Sequence, residues 1–231
     1  MPIVNVPNQI TLARLAISII FLALLATIDA RTLDDARGLL QVCFWLFIVA
    51  AVSDIVDGYL ARRLNAETTF GRIVDPLVDK ILICGAFIEF SGAAFTAGGR
   101  HITGVAGWMA TVIVARELLV SGLRASIESS GRSFGADGIG KVKMFVQCLA
   151  VGFVLGRHAW DLAVLDGLMR TLVWLAVLVT AASAVTYSFR AWKLLAGPAA
   201  VGKLRACPRA GAERSVKPTV AVAPVVAETA P

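Results

Sequence analysis

Apolar residues dominate this chain in long runs that are separated by short polar stretches. An α-helix needs about 20 apolar residues to cross a bilayer, and each run is close to that length once its flanks are included. Glycine, alanine and serine are spread through the runs, as in helices that pack closely within a membrane. The pattern predicts six transmembrane helices, over residues 10–28, 38–61, 72–95, 102–123, 142–157 and 167–189.

Composition agrees with an all-α integral membrane protein. Hydrophobic residues make up 58% of the 231 residues and charged residues only 16%, with a mean hydropathy of +0.77. A soluble domain would have about 25% charged residues. The four cysteines are scattered, without the spacing of a metal site or of a disulfide framework.

The net charge of +6 comes from basic residues that lie between the apolar runs. This distribution is typical of a protein that faces anionic headgroups and anionic substrates, and it argues against nucleic acid as a partner. Basic residues are densest between the second and third runs, between the fourth and fifth, and after the sixth. Because positively charged connections stay in the cytoplasm, six spans place both termini there.

The last part of the chain differs from the rest in composition. Residues 198–231 are rich in alanine, proline and valine, and they lack helical periodicity. Such a segment, with several basic residues, predicts a disordered tail that can touch lipid headgroups. The chain therefore divides into a six-helix membrane domain, residues 1–197, and this tail.

Four aspartates interrupt two neighbouring apolar runs. Asp54 and Asp57 are three residues apart, and Asp75 and Asp79 are four apart, so each pair shares a helix face. An ionised aspartate at the bilayer centre costs about 2.5–3.5 kcal/mol. Divalent cations offset that cost most simply, since oxygen ligands suit Mg²⁺ or Mn²⁺ and two close metals suit displacement at phosphorus. The alternative is that these carboxylates pair with nearby arginines and with Lys80.

The residues between the aspartates are also suggestive. Gly58 and Ala61 leave space beside the second carboxylate, and Thr68 can donate a hydrogen bond to a diphosphate oxygen. Pro76 falls in the first turn of the third predicted helix, where proline is tolerated.

The spacing of these residues forms a motif with eight fixed positions over 26 residues. It reads Asp54-x2-Asp57-Gly58-x2-Ala61-Arg62-x8-Gly71-x3-Asp75-x3-Asp79. The motif matches the signature of the CDP-alcohol phosphotransferases at every fixed position, and the chain resembles this family. Similar stretches at residues 6–15 (VPNQITLARL), 115–124 and 140–144 extend the resemblance over about residues 5–190. It is closest to members that use glycerol 3-phosphate as the acceptor.

The resemblance implies a six-helix membrane enzyme that transfers a phosphatidyl group from CDP-diacylglycerol to an alcohol and releases CMP. With glycerol 3-phosphate the product is phosphatidylglycerol phosphate, a step of phospholipid biosynthesis. The implied metal ligands are Asp54, Asp57, Asp75 and Asp79, with Asp79 also acting as general base. The implied contacts to the cytidine diphosphate are Gly58, Ala61, Arg62 and Gly71. A homodimer among membrane lipids, in a bacterial inner membrane and with its active site toward the cytoplasm, is also implied.

Further cations lie near the ends of the fourth and fifth predicted helices. We predict that they form a pocket for the acceptor's phosphate, because guanidinium binds phosphate bidentately and lysine adds charge. These cations are Arg116, Arg124, Lys141 and Lys143. An alternative for Arg116 is an internal ion pair with Glu117 that fastens its helix to neighbours. Arg14 either contacts the donor headgroup or anchors the first helix.

Two other functions remain compatible with the sequence. A transporter would also carry intramembrane aspartates and arginines along an ion path. Against it, the four aspartates cluster toward one side instead of following a pore. A cardiolipin synthase of the same family would use phosphatidylglycerol as acceptor, and a phosphomonoester pocket would then have nothing to bind.

Overall fold

The computed structural model describes residues 6–28, 35–64, 69–97, 99–129 and 138–196, and within these ranges it is an all-α bundle. Its helices are α1 (Val6–Leu25), α2 (Arg37–Leu64), α3 (Thr69–Ser91), α4 (Gly107–Ser129), α5 (Gly138–Ala159) and α6 (Asp166–Ala196). A two-stranded hairpin of β1 (Thr96–Ala97) and β2 (Arg100–His101) joins α3 to α4. The tail predicted for residues 198–231 lies outside the described residues.

All six predicted helices are present, but some of their ends differ. The apolar pattern extends the third helix to residue 95 and starts the fourth at residue 102, whereas α3 ends at Ser91 and α4 begins at Gly107. Gly92, directly after Ser91, has an extended backbone (φ −71°, ψ 165°) that ends α3. Gly104 has a left-handed φ of 71°, which a helix does not contain, so α4 begins only after it. At the other end, α5 begins four residues before the predicted residue 142 and takes Lys141 onto the helix.

Pro76 lies in the interior of α3, so its expected position in a first turn is wrong. The helix begins at Thr69, since nothing between Thr69 and Pro76 stops it. Proline removes one backbone donor, and helices in membrane proteins tolerate this where neighbouring groups satisfy the freed carbonyl. The side chain of Pro76 is exposed and borders a cavity described below.

The helices pack as a closed ring. Helix α1 lies between α3 and α2, α2 continues to α5, α5 to α6, α6 to α4, and α4 returns to α3. Phe21 and Phe47 meet in the core with ring centroids 5.9 Å apart, which joins α1 to α2. Gly85 lets α3 approach α1 closely, because a Cβ there would lie 2.6 Å from a methyl group of Leu22.

Polar bonds hold one end of the bundle. Arg37 on α2 donates to Asp161 at 3.0 Å, and Gln41 donates to the carbonyl of Ala159 at 3.2 Å. Arg157 near the end of α5 pairs with both Asp161 and Asp166. These contacts bring the start of α2, the end of α5 and the start of α6 to one level. Helices α2 and α6 therefore both run antiparallel to α5.

The outer surface of the helices is strongly apolar. Two helical stretches in the described part of the chain, Gly140–Ala159 and Ala163–Lys193, are long and apolar enough to cross a membrane. Shorter apolar helices cover Gln9–Leu25 and Arg37–Ser53. Large apolar side chains point outward, among them Trp45, Leu118, Phe145, Val185 and Trp192. Contiguous apolar surface of this kind indicates contact with lipid or with another apolar partner.

Candidate active site

The aspartate motif lies on α2 and α3. Asp54 and Asp57 are in the second half of α2, Asp75 and Asp79 are in the first half of α3, and four residues separate the two helices. Thr68 and the side chains of Asp54, Asp57, Gly58, Ala61, Arg62, Gly71 and Asp75 lie outside the described residues. The side chain of Asp79 is described, and it gives the location of this end of the site.

Asp79 faces a buried arginine on α1. Nη1 of Arg14 lies 3.6 Å from Oδ1 of Asp79, and the side chains are 1% and 27% exposed, respectively. A buried guanidinium is costly unless a carboxylate compensates its charge. This pair therefore ties α1 to α3 at the motif. It also gives Arg14 a role at the site beyond anchoring its helix.

The donor chemistry of the motif fits a hard divalent cation. Asp79 is partly exposed and borders a cavity, so its carboxylate oxygens are accessible. Oxygen ligands of this type suit Mg²⁺ or Mn²⁺. Among the residues whose side chains are described, no group of three histidine, cysteine, aspartate or glutamate side chains could hold a metal ion. The other three aspartates of the motif lie among the side chains that are not described.

A buried charge cluster joins α4 to α5. The side chains of Arg116, Glu117 and Lys143 are each 7–8% exposed. The Lys143 ammonium donates to Oε1 of Glu117, and Nη1 of Arg116 lies 3.2 Å and 3.3 Å from its two carboxylate oxygens. One carboxylate thus compensates two cations. The ion pair expected as the alternative for Arg116 exists, and Lys143 belongs to it as well.

Neutral groups extend this cluster to α6 and α3. Nε of Arg116 donates to Oγ of Ser183 at 2.8 Å, and the guanidinium carbon lies 5.4 Å from the centre of the Tyr187 ring. Lys80, next to Asp79 on α3, donates to Oγ of Ser121 at 2.6 Å. Ser121 in turn donates to the backbone carbonyl of Glu117 at 2.6 Å. Four helices therefore meet around one polar cluster.

Two adjoining cavities open beside this cluster. The larger, of about 420 Å³, is lined by polar and charged side chains that include Lys80, Arg116, Glu117, Arg124, Glu128, Lys141 and Tyr187. The smaller, of about 150 Å³, is lined by Asp79, Lys80, Glu117, Lys143 and Gln147, among others. Both are bordered by Pro76, Lys80, Glu117 and Met144. The motif carboxylate and the cationic pocket thus belong to one cleft.

Comparison with known proteins gives this cleft a context. A sequence model of the CDP-alcohol phosphatidyltransferases matches residues 4–182. The chain belongs to the CDP-alcohol phosphatidyltransferase family. A Bacillus subtilis (strain 168) protein named CDP-diacylglycerol–glycerol-3-phosphate 3-phosphatidyltransferase is 35% identical over 199 residues, which cover 83% of this chain and 97% of the relative.

Proteins of the same name in other bacteria are similar to it. The Rickettsia felis protein is 33% identical over 190 residues, or 82% of this chain and 96% of its own length. The Escherichia coli (strain K12) protein is 36% identical over 159 residues, or 66% of this chain and 78% of its own length. The family consists of membrane-associated enzymes that generally use a divalent metal, which accords with the apolar helices and the aspartate motif.

The structure brings together most of the predicted acceptor-binding cations of this phosphatidyltransferase. Arg116, Arg124 and Lys141 line the larger cavity, whereas Lys143 borders the smaller one and is bonded to Glu117. Sequence reasoning did not assign Lys80 to the cleft, although its position beside Asp79 was a usable signal. Tyr187 was also missed, because an aromatic residue within an apolar run gives no such signal.

Glu117 should be essential for the stability of this end of the bundle. Glu117→Gln keeps the shape of the side chain but removes the charge that compensates Arg116 and Lys143, so we expect a loss of about 3–5 kcal/mol in the free energy of unfolding. Thermal and denaturant unfolding of the purified protein measures it. The control is Glu128→Gln, an exposed carboxylate of the same cavity, which should change stability by less than about 0.5 kcal/mol. An equal change in the free energy of unfolding in Glu117→Gln and Glu128→Gln would contradict the role of Glu117 in compensating the two cations.

Proposed function

We propose that this protein transfers the phosphatidyl group of CDP-diacylglycerol to sn-glycerol 3-phosphate, giving phosphatidylglycerol phosphate and CMP. The observation that carries this proposal is the shared cleft. The cavity that Asp79 borders and the cavity that the cations line have residues in common, so the two adjoin. The names of the similar bacterial proteins support it. The homodimer expected from the family resemblance remains part of the proposal.

The charges of the larger cavity favour a phosphorylated acceptor. Four cations line it, Lys80, Arg116, Arg124 and Lys141, against the two carboxylates Glu117 and Glu128. A phosphomonoester carries a charge of about −1.5 to −2 near neutral pH, so it would compensate this excess. A neutral alcohol would leave the excess uncompensated. The polar cluster therefore supports glycerol 3-phosphate over neutral acceptors such as serine or choline.

The membrane arrangement belongs to the same proposal. We place all six helices across a bacterial inner membrane, with both termini and the cleft on the cytoplasmic side. The outward apolar side chains support lipid contact, and the basic residues concentrated in alternate connections support a common side for those connections. Arg124 and Lys141 then lie toward the cytoplasmic ends of their helices, where soluble glycerol 3-phosphate can enter. Asp79 and Lys80 lie deeper, near the middle of α3.

An apolar groove near the motif suits the acyl chains of the donor. It has a volume of about 350 Å³, and Phe44 and Ile48 of α2 face Gly152, Gly156 and other residues of α5 across it. Ile48 precedes Asp54 by six residues, about 9 Å along the helix. A lipid whose diphosphate lies at the aspartates could therefore extend a chain along this groove. The nucleotide would remain at the polar end, beside Gly58, Ala61, Arg62, Thr68 and Gly71.

The proposed mechanism is direct displacement at phosphorus. Arg116, Arg124 and Lys141 would hold the acceptor's phosphate, and the smaller cavity would admit its hydroxyl toward Asp79. Asp79 would take the proton as the hydroxyl oxygen attacks the phosphatidyl phosphorus and CMP leaves. Lys143 would contribute positive charge from beneath the pocket while Glu117 holds it in place. Two divalent ions held by Asp54, Asp57, Asp75 and Asp79 would neutralise the diphosphate and the departing CMP.

The activity itself can be tested with purified protein in lipid nanodiscs. We expect CMP release from CDP-diacylglycerol only when glycerol 3-phosphate and Mg²⁺ or Mn²⁺ are both present, and a chelator should abolish it. Phosphatidylglycerol, serine and choline serve as competing acceptors. Preference for phosphatidylglycerol would identify a cardiolipin synthase instead. Absence of CMP release together with ion flux in liposomes would favour a transporter.

Lys141→Ala should weaken the acceptor site selectively. Loss of one charge-assisted contact costs about ten- to a hundredfold in affinity, so the KM for glycerol 3-phosphate should rise by that factor while the KM for CDP-diacylglycerol stays nearly constant. Lys193→Ala is the control, because Lys193 is an exposed cation on α6 outside both cavities. An unchanged KM for glycerol 3-phosphate in folded Lys141→Ala protein would contradict the assignment of Lys141 to the acceptor pocket.

Arg116→Ala should also raise the KM for glycerol 3-phosphate. Because this variant removes a partner of Glu117 as well, its stability must be measured in parallel.

Asp79→Asn should lower turnover more than any other substitution in the motif. The variant loses the general base, which contributes about 10²- to 10⁴-fold, and one anionic oxygen for metal binding. Asn substitutions of Asp54, Asp57 and Asp75 should mainly raise the metal concentration needed for activity. Metal titrations of kcat distinguish the two effects, with Asp35→Asn as an exposed control. Wild-type turnover of Asp79→Asn would exclude it as the base.

A further inference from the structure

The guanidinium of Arg116 is held from two sides by α6. Ser183 accepts a hydrogen bond from its Nε at 2.8 Å, and the Ser183 hydroxyl donates its own hydrogen to the carbonyl of Thr180 at 2.8 Å. The hydroxyl therefore presents a lone pair to the arginine. Tyr187, one helical turn further along, places its ring 5.4 Å from the guanidinium carbon. Within the described part of the chain, the hydrogen bonds of Arg116 engage Nε and Nη1.

Tyr187 is buried and fits tightly against α5. Its side chain is 2% exposed, and it packs with Val120, Ile127 and Ala191. A Cβ added at Gly140 would lie 3.2 Å from the Tyr187 hydroxyl oxygen, closer than an ordinary van der Waals contact. Gly140, Tyr187 and Arg116 all line the larger cavity. The glycine at position 140 therefore leaves the space that the phenol occupies.

We propose that Tyr187 is a positioning residue of the acceptor pocket, whose ring holds the Arg116 guanidinium in the orientation that receives the acceptor's phosphate. Gly140 belongs to the same device, because a larger residue would push the phenol away from the arginine. This proposal rests on the proposed function, since it assigns Arg116 to phosphate binding. It extends that function to two residues on α5 and α6 that carry no charge.

The physical reason is preorganisation. An arginine side chain loses considerable rotamer freedom when it binds a ligand, and a guanidinium that is already fixed avoids most of that loss. Its planar fork must also match the phosphate oxygens in orientation, which a lysine does not require. Glu117 at one edge, Ser183 at Nε and the Tyr187 ring at the face together determine this plane. Tyr187 contributes the face, through a cation–π contact.

The first test compares Tyr187→Leu with Tyr187→Phe. Tyr187→Leu removes the ring, and we expect the KM for glycerol 3-phosphate to rise by about two- to thirtyfold, with little change in the KM for CDP-diacylglycerol. Tyr187→Phe retains the ring and should recover most of the lost acceptor affinity. If Tyr187 served only in packing, Tyr187→Leu would lower stability and kcat but would not raise the KM for glycerol 3-phosphate more than the KM for CDP-diacylglycerol. Thermal unfolding of every variant is measured alongside the kinetics.

The chain offers a matched control on the same helix. The Lys193 ammonium lies 4.6 Å from the centre of the Phe189 ring, which is a second cation–π contact outside both cavities. Phe189→Leu should leave the KM for glycerol 3-phosphate unaltered. An equal rise in Phe189→Leu and Tyr187→Leu would mean that α6 aromatics act only through the fold, and it would overturn the proposal.

The second test is a double-mutant cycle with Gly140. Gly140→Ala should raise the acceptor KM by at least about threefold, because the new methyl group displaces the phenol. In Tyr187→Phe protein the hydroxyl is gone, so Gly140→Ala should there have a much smaller effect. An equal effect in both backgrounds would overturn the part assigned to Gly140.

The outcomes also separate this proposal from the proposed function. If the wild-type protein releases no CMP with glycerol 3-phosphate, the proposed function fails and this inference fails with it. If the wild-type protein is active but folded Tyr187→Leu keeps the wild-type acceptor KM, only the positioning role of Tyr187 is overturned. A selective rise in the acceptor KM that Tyr187→Phe reverses supports both.

Discussion

The buried carboxylate of Glu117 is the contact on which this end of the protein depends. It compensates Arg116 and Lys143, whose side chains are buried except where they border the cavities. Because the two cations come from α4 and α5 and Arg116 also bonds Ser183 on α6, the carboxylate stabilises the place where three helices meet. The cluster still carries one uncompensated positive charge. That excess faces the cavity, where an anionic ligand would complete the balance.

The ring of helices explains how this cluster comes to lie beside the aspartate motif. Helix α3 packs against α1 on one side and α4 on the other, so it carries both halves of the site. Asp79 faces Arg14 of α1, while the adjacent Lys80 bonds Ser121 of α4. Two consecutive residues therefore connect the carboxylate side to the cationic side. A shift of α3 would change the positions of Asp79 and of the Lys80 side of the larger cavity together.

Much of this arrangement follows from the sequence, for identifiable reasons. Long apolar runs predict six helices because length and composition are sufficient for that, and Asp79 stood out because a carboxylate in lipid is costly. The positions of Ser183 and Tyr187 could not be predicted, since they depend on which face of α6 meets α4. The glycine-dependent hairpin between α3 and α4 was missed for a similar reason. Residues 96–101 lie in the connection predicted between the third and fourth helices, and the Gly-Gly pair at 98–99 indicates a turn there. The pairing of two strands of two residues each leaves no further pattern in the sequence.

The shape of the cleft bears on how one family can serve several alcohols. In the proposed mechanism, the aspartates act on the diphosphate that every CDP-linked donor shares, so they carry no information about the acceptor. Discrimination must come from the larger cavity, where cations exceed carboxylates. A phosphodiester lipid brings a single charge and two acyl chains, whereas glycerol 3-phosphate brings nearly two charges and no apolar part. A polar pocket whose arginine is fixed by Glu117, Ser183 and Tyr187 gains more from the second, because each charge-assisted bond is formed without reorganising the side chain. Under the proposed function, acceptor choice is thus mainly a property of α4, α5 and α6, with Lys80 of α3 completing the pocket beside the aspartate motif.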